Sequence, residues 1–294
     1  MEHIESFSRY LRFEKRCSEH TLIAYENDLK QFFSFLGSSQ LNQLVEVKPK
    51  MIRNWVVELH GLGMNPRTIH RKVSTLKTFF KHLQIRGWID HNPAHAVNLP
   101  KIPKRLPVFV KESAMEQLLD HVDFGNNYEG IRNKLILELF YGTGMRLTEL
   151  VQLSAHDVDL KGGLIKVLGK RNKERLIPLT NESVLQLKAY NKVRALFFEA
   201  SDSTFLFLTA KGEPIYHKLV YRIVNSSLSM VSTMKKRSPH VLRHTFATIL
   251  LNRGADLNAI KELLGHSSLN ATQVYTHNTF EQLNAIYKQA HPRA

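Results

Sequence analysis

The 294-residue sequence is short of the residues that staple, anchor or address a chain. Its single cysteine, Cys17, excludes an internal disulfide framework and a cysteine-based zinc site. No apolar run reaches the roughly 18 residues that a membrane span requires. The first residues, "MEHIESFSRY", have neither a basic n-region nor an apolar h-region, so no secretory leader is expected. There is no internal repeat, no low-complexity tract, no P-loop and no carboxylate cluster suited to magnesium. Acidic residues are scarce as well. Only 26 Asp plus Glu stand against 41 Lys plus Arg, leaving a formal charge of +15. An excess of that size calls for a polyanionic partner. These features describe a cytoplasmic, nucleic-acid-binding protein without a membrane segment.

Proline marks the one evident boundary. In "NLPKIPKRLPVFV" (98–110), Pro100, Pro103 and Pro107 forbid a helix and favour an extended basic connector. It separates an expected helical domain, 1–97, from a larger mixed domain, 111–294. Upstream, apolar periodicity predicts helices over about 3–16, 18–36, 48–60 and 65–87. Ser18 and Asn65 stand at N-cap positions, Pro66 at a first helical position, and Gly37 at a helix end. On the fourth helix Ile69, Val73, Leu76, Phe80 and Leu83 form one stripe. Arg67, Arg71, Ser74, Thr78 and Lys81 form the other. No acidic residue occurs between Glu58 and Asp90, which favours a phosphate-facing surface over a merely solvated one. Downstream, a helix over 130–141 breaks at "GTG", and a shorter one follows through "MRLTELVQL". The segment 163–179 reads as a small antiparallel hairpin turning at "GKRNK". Helices then follow near 183–196, 214–229, 239–252, 256–264, 268–276 and 279–289. The fold class is mainly α, with a minor sheet in the second domain.

"SPHVLRHTFATIL" (238–250) opens with Ser238 as N-cap and Pro239 at the first helical position. Leu242, Phe246, Ile249 and Leu250 share one face, His240 points away from it, and Arg243 lies at its edge. The helix N-terminus carries free N–H groups and suits a phosphate. His240 and His244 have the i, i+4 spacing of a helical zinc site, but Val241 occupies the place where such a motif needs glutamate. No metal is expected, and His244 reads as an ordinary structural histidine. In "YGTGMRLTEL", Arg146 follows a glycine break and Glu149 lies one turn on, positioned to hold a guanidinium. Lys170, Arg171, Lys173 and Arg175 make a basic hairpin that reads as a DNA contact. Gly265 ends a helix, His266 follows, and Tyr275 sits beyond. Phosphoryl transfer needs cationic donors, an acid for the leaving oxygen and a nucleophile, and this set contains all three.

These motifs, "GTGMRLTEL", "GKRNKERLIPL", "SPHVLRHTFAT" and "LLGHSSLNATQVYTH", resemble in order and spacing those of the tyrosine recombinase (phage integrase) family, Xer branch. The resemblance extends over the whole chain. "NAIYKQAHPRA" and "LPKIPKRLP" look more like the XerC than the XerD members of that branch. It implies a SAM-like core-binding domain followed by a catalytic domain. It further implies that Arg146 and Arg243 bind the scissile phosphate and Lys170 is the general acid. His240 assists the nucleophile's proton or braces the phosphate, and His266 donates to a phosphate oxygen. Tyr275 is the nucleophile that leaves a 3′-phosphotyrosine, and Glu149 is a supporting acid. Arg171 departs from the glycine often found there in Xer proteins.

The expected activity is site-specific cutting and rejoining of double-stranded DNA without metal, ATP or other cofactor, directed to chromosome-dimer resolution. The expected partners are a second, XerD-like recombinase in a heterotetramer and a regulatory DNA translocase. A mobile-element integrase, a type IB topoisomerase and a non-catalytic DNA-binding regulator are the alternatives; the complete catalytic set disfavours the last. Beyond Tyr275, the residues Phe280, Leu283, Ile286 and Tyr287 form an apolar stripe. Periodicity alone assigns that stripe to its own domain, whereas the resemblance implies exchange with a neighbouring protomer.

Overall fold

The computed structural model describes residues 2–37, 47–103, 108–169, 174–198, 203–265 and 277–294; for 2 and 277–281 it describes the backbone alone. The chain forms two compact units, Met1–Arg105 and Leu106–Ala294.

In the first unit α1 (Glu2–Arg9) runs into a π-helical turn (Tyr10–Glu14), followed by α2 (Glu19–Leu36), α3 (Pro49–Gly61) and α4 (Pro66–Ile85). Asn65 caps α4 through its side chain, which accepts from Arg67 N at 3.0 Å. Ser18 holds the N-cap position of α2 without a side-chain cap. Its hydroxyl instead meets that of Thr21 at 3.0 Å. The apolar faces enclose an aromatic centre in which Phe7 meets Phe79 edge-on and Phe32 tilts against Trp55. All five residues of the predicted α4 stripe are buried. The start of the proline-rich connector belongs to this unit, since Pro100 O lies 2.7 Å from His70 Nε2.

The second unit is built around α6 (Tyr128–Thr143), whose side chains are buried on nearly every face. A helix apolar all round can only be central. Before it come α5 (Glu112–Glu116) and a π-helical turn (Gln117–His121), which the periodicity did not reveal. After it come α7 (Leu147–Gln152), β1 (Val158–Asp159), β2 (Leu164–Leu168) and β3 (Glu174–Pro178). The antiparallel sheet has the order β1-β2-β3, with Ile165 opposite Ile177 and Val167 opposite Arg175. The helices α8 (Asn181–Phe197), α9 (His217–Val231), α10 (Pro239–Asn252), α11 (Leu257–Leu264) and α12 (His277–Ala290) complete the unit. Val110, at the end of the expected connector, is buried, and its N–H donates to Thr245 Oγ1 at 2.9 Å.

The helix α12 lies on its own unit. Leu283, Tyr287 and Ala290 are buried, and Ile286 packs against a cluster containing Phe246, Leu250 and Leu263. Tyr287 Oη donates to Gly142 O at 2.8 Å. Arg293 then closes on both oxygens of Asp120 at 2.9 Å and on Glu138 at 3.2 Å. In the single chain, therefore, the stripe is seated in cis, as its periodicity implied; the side chain of Phe280 lies outside the described residues. Among the described residues, no helix is long and apolar enough to cross a membrane.

Candidate active site

The site forms where α6 ends. Gly144 terminates α6 in a left-handed conformation, φ +59°. A Cβ there would come within 2.5 Å of the Phe246 ring. Glycine is therefore required both by the backbone and by the close packing of α10. The chain turns and starts α7 with Arg146 at the N-cap position. Glu149, one turn on, accepts from Arg146 N at 2.7 Å and from Arg146 Nη1 at 2.8 Å.

The carboxylate of Glu149 is almost fully buried and has a second partner. Arg175, on β3, donates to both its oxygens, Nη1 to Oε1 at 2.7 Å and Nη2 to Oε2 at 2.8 Å. Burial by itself would raise the pKa of Glu149. The bonds and charge of Arg175, followed by those of Arg146, outweigh burial and hold it at about 2. Removing one partner of such a buried cluster typically costs about 3–5 kcal/mol, because it leaves an uncompensated charge.

Arg243, on α10, is also buried. Its Nη1 donates to Gly144 O at 2.7 Å and its Nη2 to Leu264 O at 2.5 Å. Burial first, then the charges of Arg146 and Arg175, lower its pKa to about 9, which leaves it cationic at neutral pH. Arg146 Nη2 donates to Gly265 O at 2.8 Å, and Arg175 Nε to Leu263 O at 2.9 Å. Three arginines from three elements thus cap the consecutive carbonyls of Leu263, Leu264 and Gly265 at the end of α11. The last carbonyls of a helix have no intrahelical partner and carry the negative end of its dipole, so guanidinium groups are suitable caps. Arg146 and Arg243 each use two of five N–H donors in these bonds, leaving donors to offer an oxyanion. The side chain of Arg146 remains 29% exposed, enough for a ligand to reach it.

His240 lies exposed in the first turn of α10. Partial desolvation and then the charges of Arg243, His244, Lys236 and Arg146 hold its pKa below the usual 6.5. Ser238 occupies the N-cap position without a side-chain cap, and its hydroxyl is buried. His244, read as an ordinary structural histidine, is exposed.

Residues 109–282 match the phage integrase family, and residues 4–87 match the phage integrase N-terminal SAM-like domain. The chain belongs to the phage integrase family. A tyrosine recombinase XerC of Chlorobaculum parvum is 38% identical, over 99% of this chain and 94% of the relative. One from Thermodesulfovibrio yellowstonii is 40% identical, over 99% and 96%. The solved XerH site-specific recombinase, bound to a palindromic difH substrate in a post-cleavage complex, aligns with a TM-score of 0.71. It covers 96% of this chain and 93% of that one at 23% identity, a likeness of fold. This is a DNA recombinase of the XerC type, an enzyme of a family that acts through a covalent tyrosine intermediate.

Among the residues predicted from sequence, the fold brings Arg146, Glu149 and Arg243 together, with the charges of Arg243 and Arg146 acting on His240. Lys170, Arg171, Lys173, His266 and Tyr275 lie outside the described residues. Leu168 and Glu174 nevertheless bracket the hairpin tip, and Gly265 immediately precedes His266.

Arg175 requires correction. Expected as a DNA contact, it is only 5% exposed and spends its guanidinium on Glu149 and Leu263. Strand parity carries the missing signal. Residue 175 shares a face with Ile177, and across the ladder with Val167 and Ile165, so its side chain points inward. On α4, Arg67, Arg71 and Lys81 are exposed, as expected. Arg71, however, meets Asp28 of α2, an acidic partner outside the 58–90 window. Asp28 is buried and also binds Lys72 and Thr75.

Proposed function

We propose that this recombinase resolves chromosome dimers, working in the cytoplasm on a double-stranded chromosomal site with a second, XerD-like recombinase. The two enzymes form a heterotetramer on two sites, under the control of a DNA translocase. Arg146 and Arg243 take the non-bridging oxygens of the scissile phosphate, assisted by a hydrogen bond from His266. Tyr275 Oη attacks phosphorus and passes its proton toward His240, while the bond to the 5′-oxygen breaks. Lys170 supplies the proton for that departing oxygen. The products are a 3′-phosphotyrosine and a free 5′-hydroxyl. Attack by a 5′-hydroxyl of the other duplex reverses the chemistry and exchanges the strand. The phosphotyrosine preserves the energy of the broken linkage, so rejoining needs no ATP. Permanently charged guanidinium groups can supply the transition-state stabilisation that metal ions give elsewhere. Arg67, Arg71, Lys81, Arg171 and Lys173 contact the DNA backbone.

The observation that carries this reading is the meeting of Arg146 and Arg243 at the last turn of α11, with Glu149 bracing Arg146. A plasmid carrying two copies of the candidate chromosomal site tests it. Resolution is expected when this protein and the second recombinase are both supplied, and not when either is omitted. Recombination by this protein alone, at a mobile-element attachment site and not at the chromosomal one, would replace this reading with the integrase alternative.

A further inference from the structure

We propose that Arg175 is a positioning residue of the active site, which keeps Arg146 aimed and fixed to the chain that leads to His266. The inference rests on the reading of Arg146 as a phosphate ligand. Arg175 cannot serve as a phosphate ligand itself, because it is buried and its guanidinium is committed to protein groups.

Charge makes the first argument. If Arg146 alone faced Glu149, the carboxylate would neutralise the cation that the phosphate needs. Arg175 engages both carboxylate oxygens, so Glu149 is shared. Three guanidinium groups, instead of two, then stand against one carboxylate, which enlarges the positive excess that meets an incoming anion.

Geometry makes the second. One guanidinium joins β3 to Glu149 of α7 and to Leu263 O at the end of α11. It also lies against Gly265, where a Cβ would come within 3.1 Å of Arg175 Nη1 and φ is +65°. Arg146 holds the carbonyl of that same glycine. Strand β3, the start of α7 and the end of α11 are therefore referenced to one side chain. Small misplacements of such elements can lower a rate by about 10- to 100-fold without touching the reacting groups.

The charged groups facing Glu149 are Arg146 beside it on α7, Arg175 from β3 and Arg243 from α10. Without Arg175, burial is opposed mainly by Arg146, and Glu149 protonates at higher pH. The test compares single-turnover cleavage of a nicked DNA substrate across pH for the wild type, Arg175→Met and Arg175→Lys. Expected for Arg175→Met is a cleavage rate reduced about 10- to 100-fold, with half-site affinity retained and the acid limb, which His240 sets in the wild type, moved to higher pH as Glu149 comes to titrate above it. Adding Glu149→Gln to Arg175→Met should remove that movement. Arg175→Lys restores a counter-charge but not the fork of three bonds, so it should return the acid limb to its wild-type place without restoring the rate. Arginine side-chain nitrogen NMR of the free protein supplies a readout independent of catalysis: the Arg146 guanidinium signals should be resolved in the wild type and broadened in both variants. If Arg175→Met folds and keeps the wild-type acid limb and Arg146 signals, or if Arg175→Lys keeps the full rate and those signals, the inference is overturned. A wild type that cleaves nothing, yet shows the predicted NMR difference, would refute the phosphate-ligand reading and leave the positioning in place.

Discussion

Partial desolvation and then the charges of Arg243, His244, Lys236 and Arg146 keep the imidazole of His240 neutral below its usual titration range. A neutral imidazole can take a proton and an imidazolium cannot, so the sign of any pH effect is fixed. The lowered pKa means that the accepting form persists as pH falls through 6.5 and is lost only below that value. The acid-side decline of the single-turnover cleavage rate is therefore expected to have its midpoint below pH 6.5. Arg243 remains charged throughout that range, since its own pKa is lowered only to about 9. A decline centred at or above 6.5 would show that His240 does not act as the neutral acceptor. Measuring the same profile with His240→Gln separates this group from others that titrate nearby.

Among the elements, α12 yields the clearest stability prediction. Deleting residues 279–294 removes Leu283, Tyr287, Ala290 and His291 from buried positions, together with the Arg293 contacts to Asp120 and Glu138. Each large apolar side chain contributes about 1.5–3 kcal/mol, so the loss amounts to several kcal/mol. The melting temperature should fall by about 10 °C or more. An unchanged melting temperature would show that α12 is not held in cis in solution and is free to dock on a neighbouring protomer. The same scale explains what the sequence could reveal. Helices with local punctuation were legible: Asn65-Pro66 starts α4, Gly37 ends α2, and Gly144 and Gly265 end α6 and α11. The pair Arg146 and Glu149 was legible because its partners lie within one turn. Contacts between distant segments were not. Nothing local to Arg175 announces Glu149 or Leu263, and nothing between Glu58 and Asp90 announces Asp28. Strand parity alone could have turned Arg175 inward. The short β1 and α5 escaped because so few residues produce no readable period.

For the molecule as a whole, the +15 charge and the exposed cations of α4 agree with a long polyanion as substrate, while Arg146, Glu149 and Arg243 meet in one corner of the second unit. There the end of α11 gathers three guanidinium groups, and the chain proceeds from that point to His266 and Tyr275. On the reading proposed above, this arrangement serves a tyrosine nucleophile which becomes covalently joined to DNA. The most direct measurement is covalent capture on a nicked substrate from which the 5′-hydroxyl fragment escapes, with the protein–DNA adduct resolved under denaturing conditions in the presence of EDTA. Wild-type protein should accumulate the adduct and release it on digestion to a phosphotyrosine at position 275. Tyr275→Phe should bind the same DNA and give none. Arg146→Ala and Arg243→Ala should each form it at least about 100-fold more slowly, as expected on losing a charged donor to the transition state. An adduct that persists in Tyr275→Phe, or that disappears from the wild type when EDTA is added, would contradict the account.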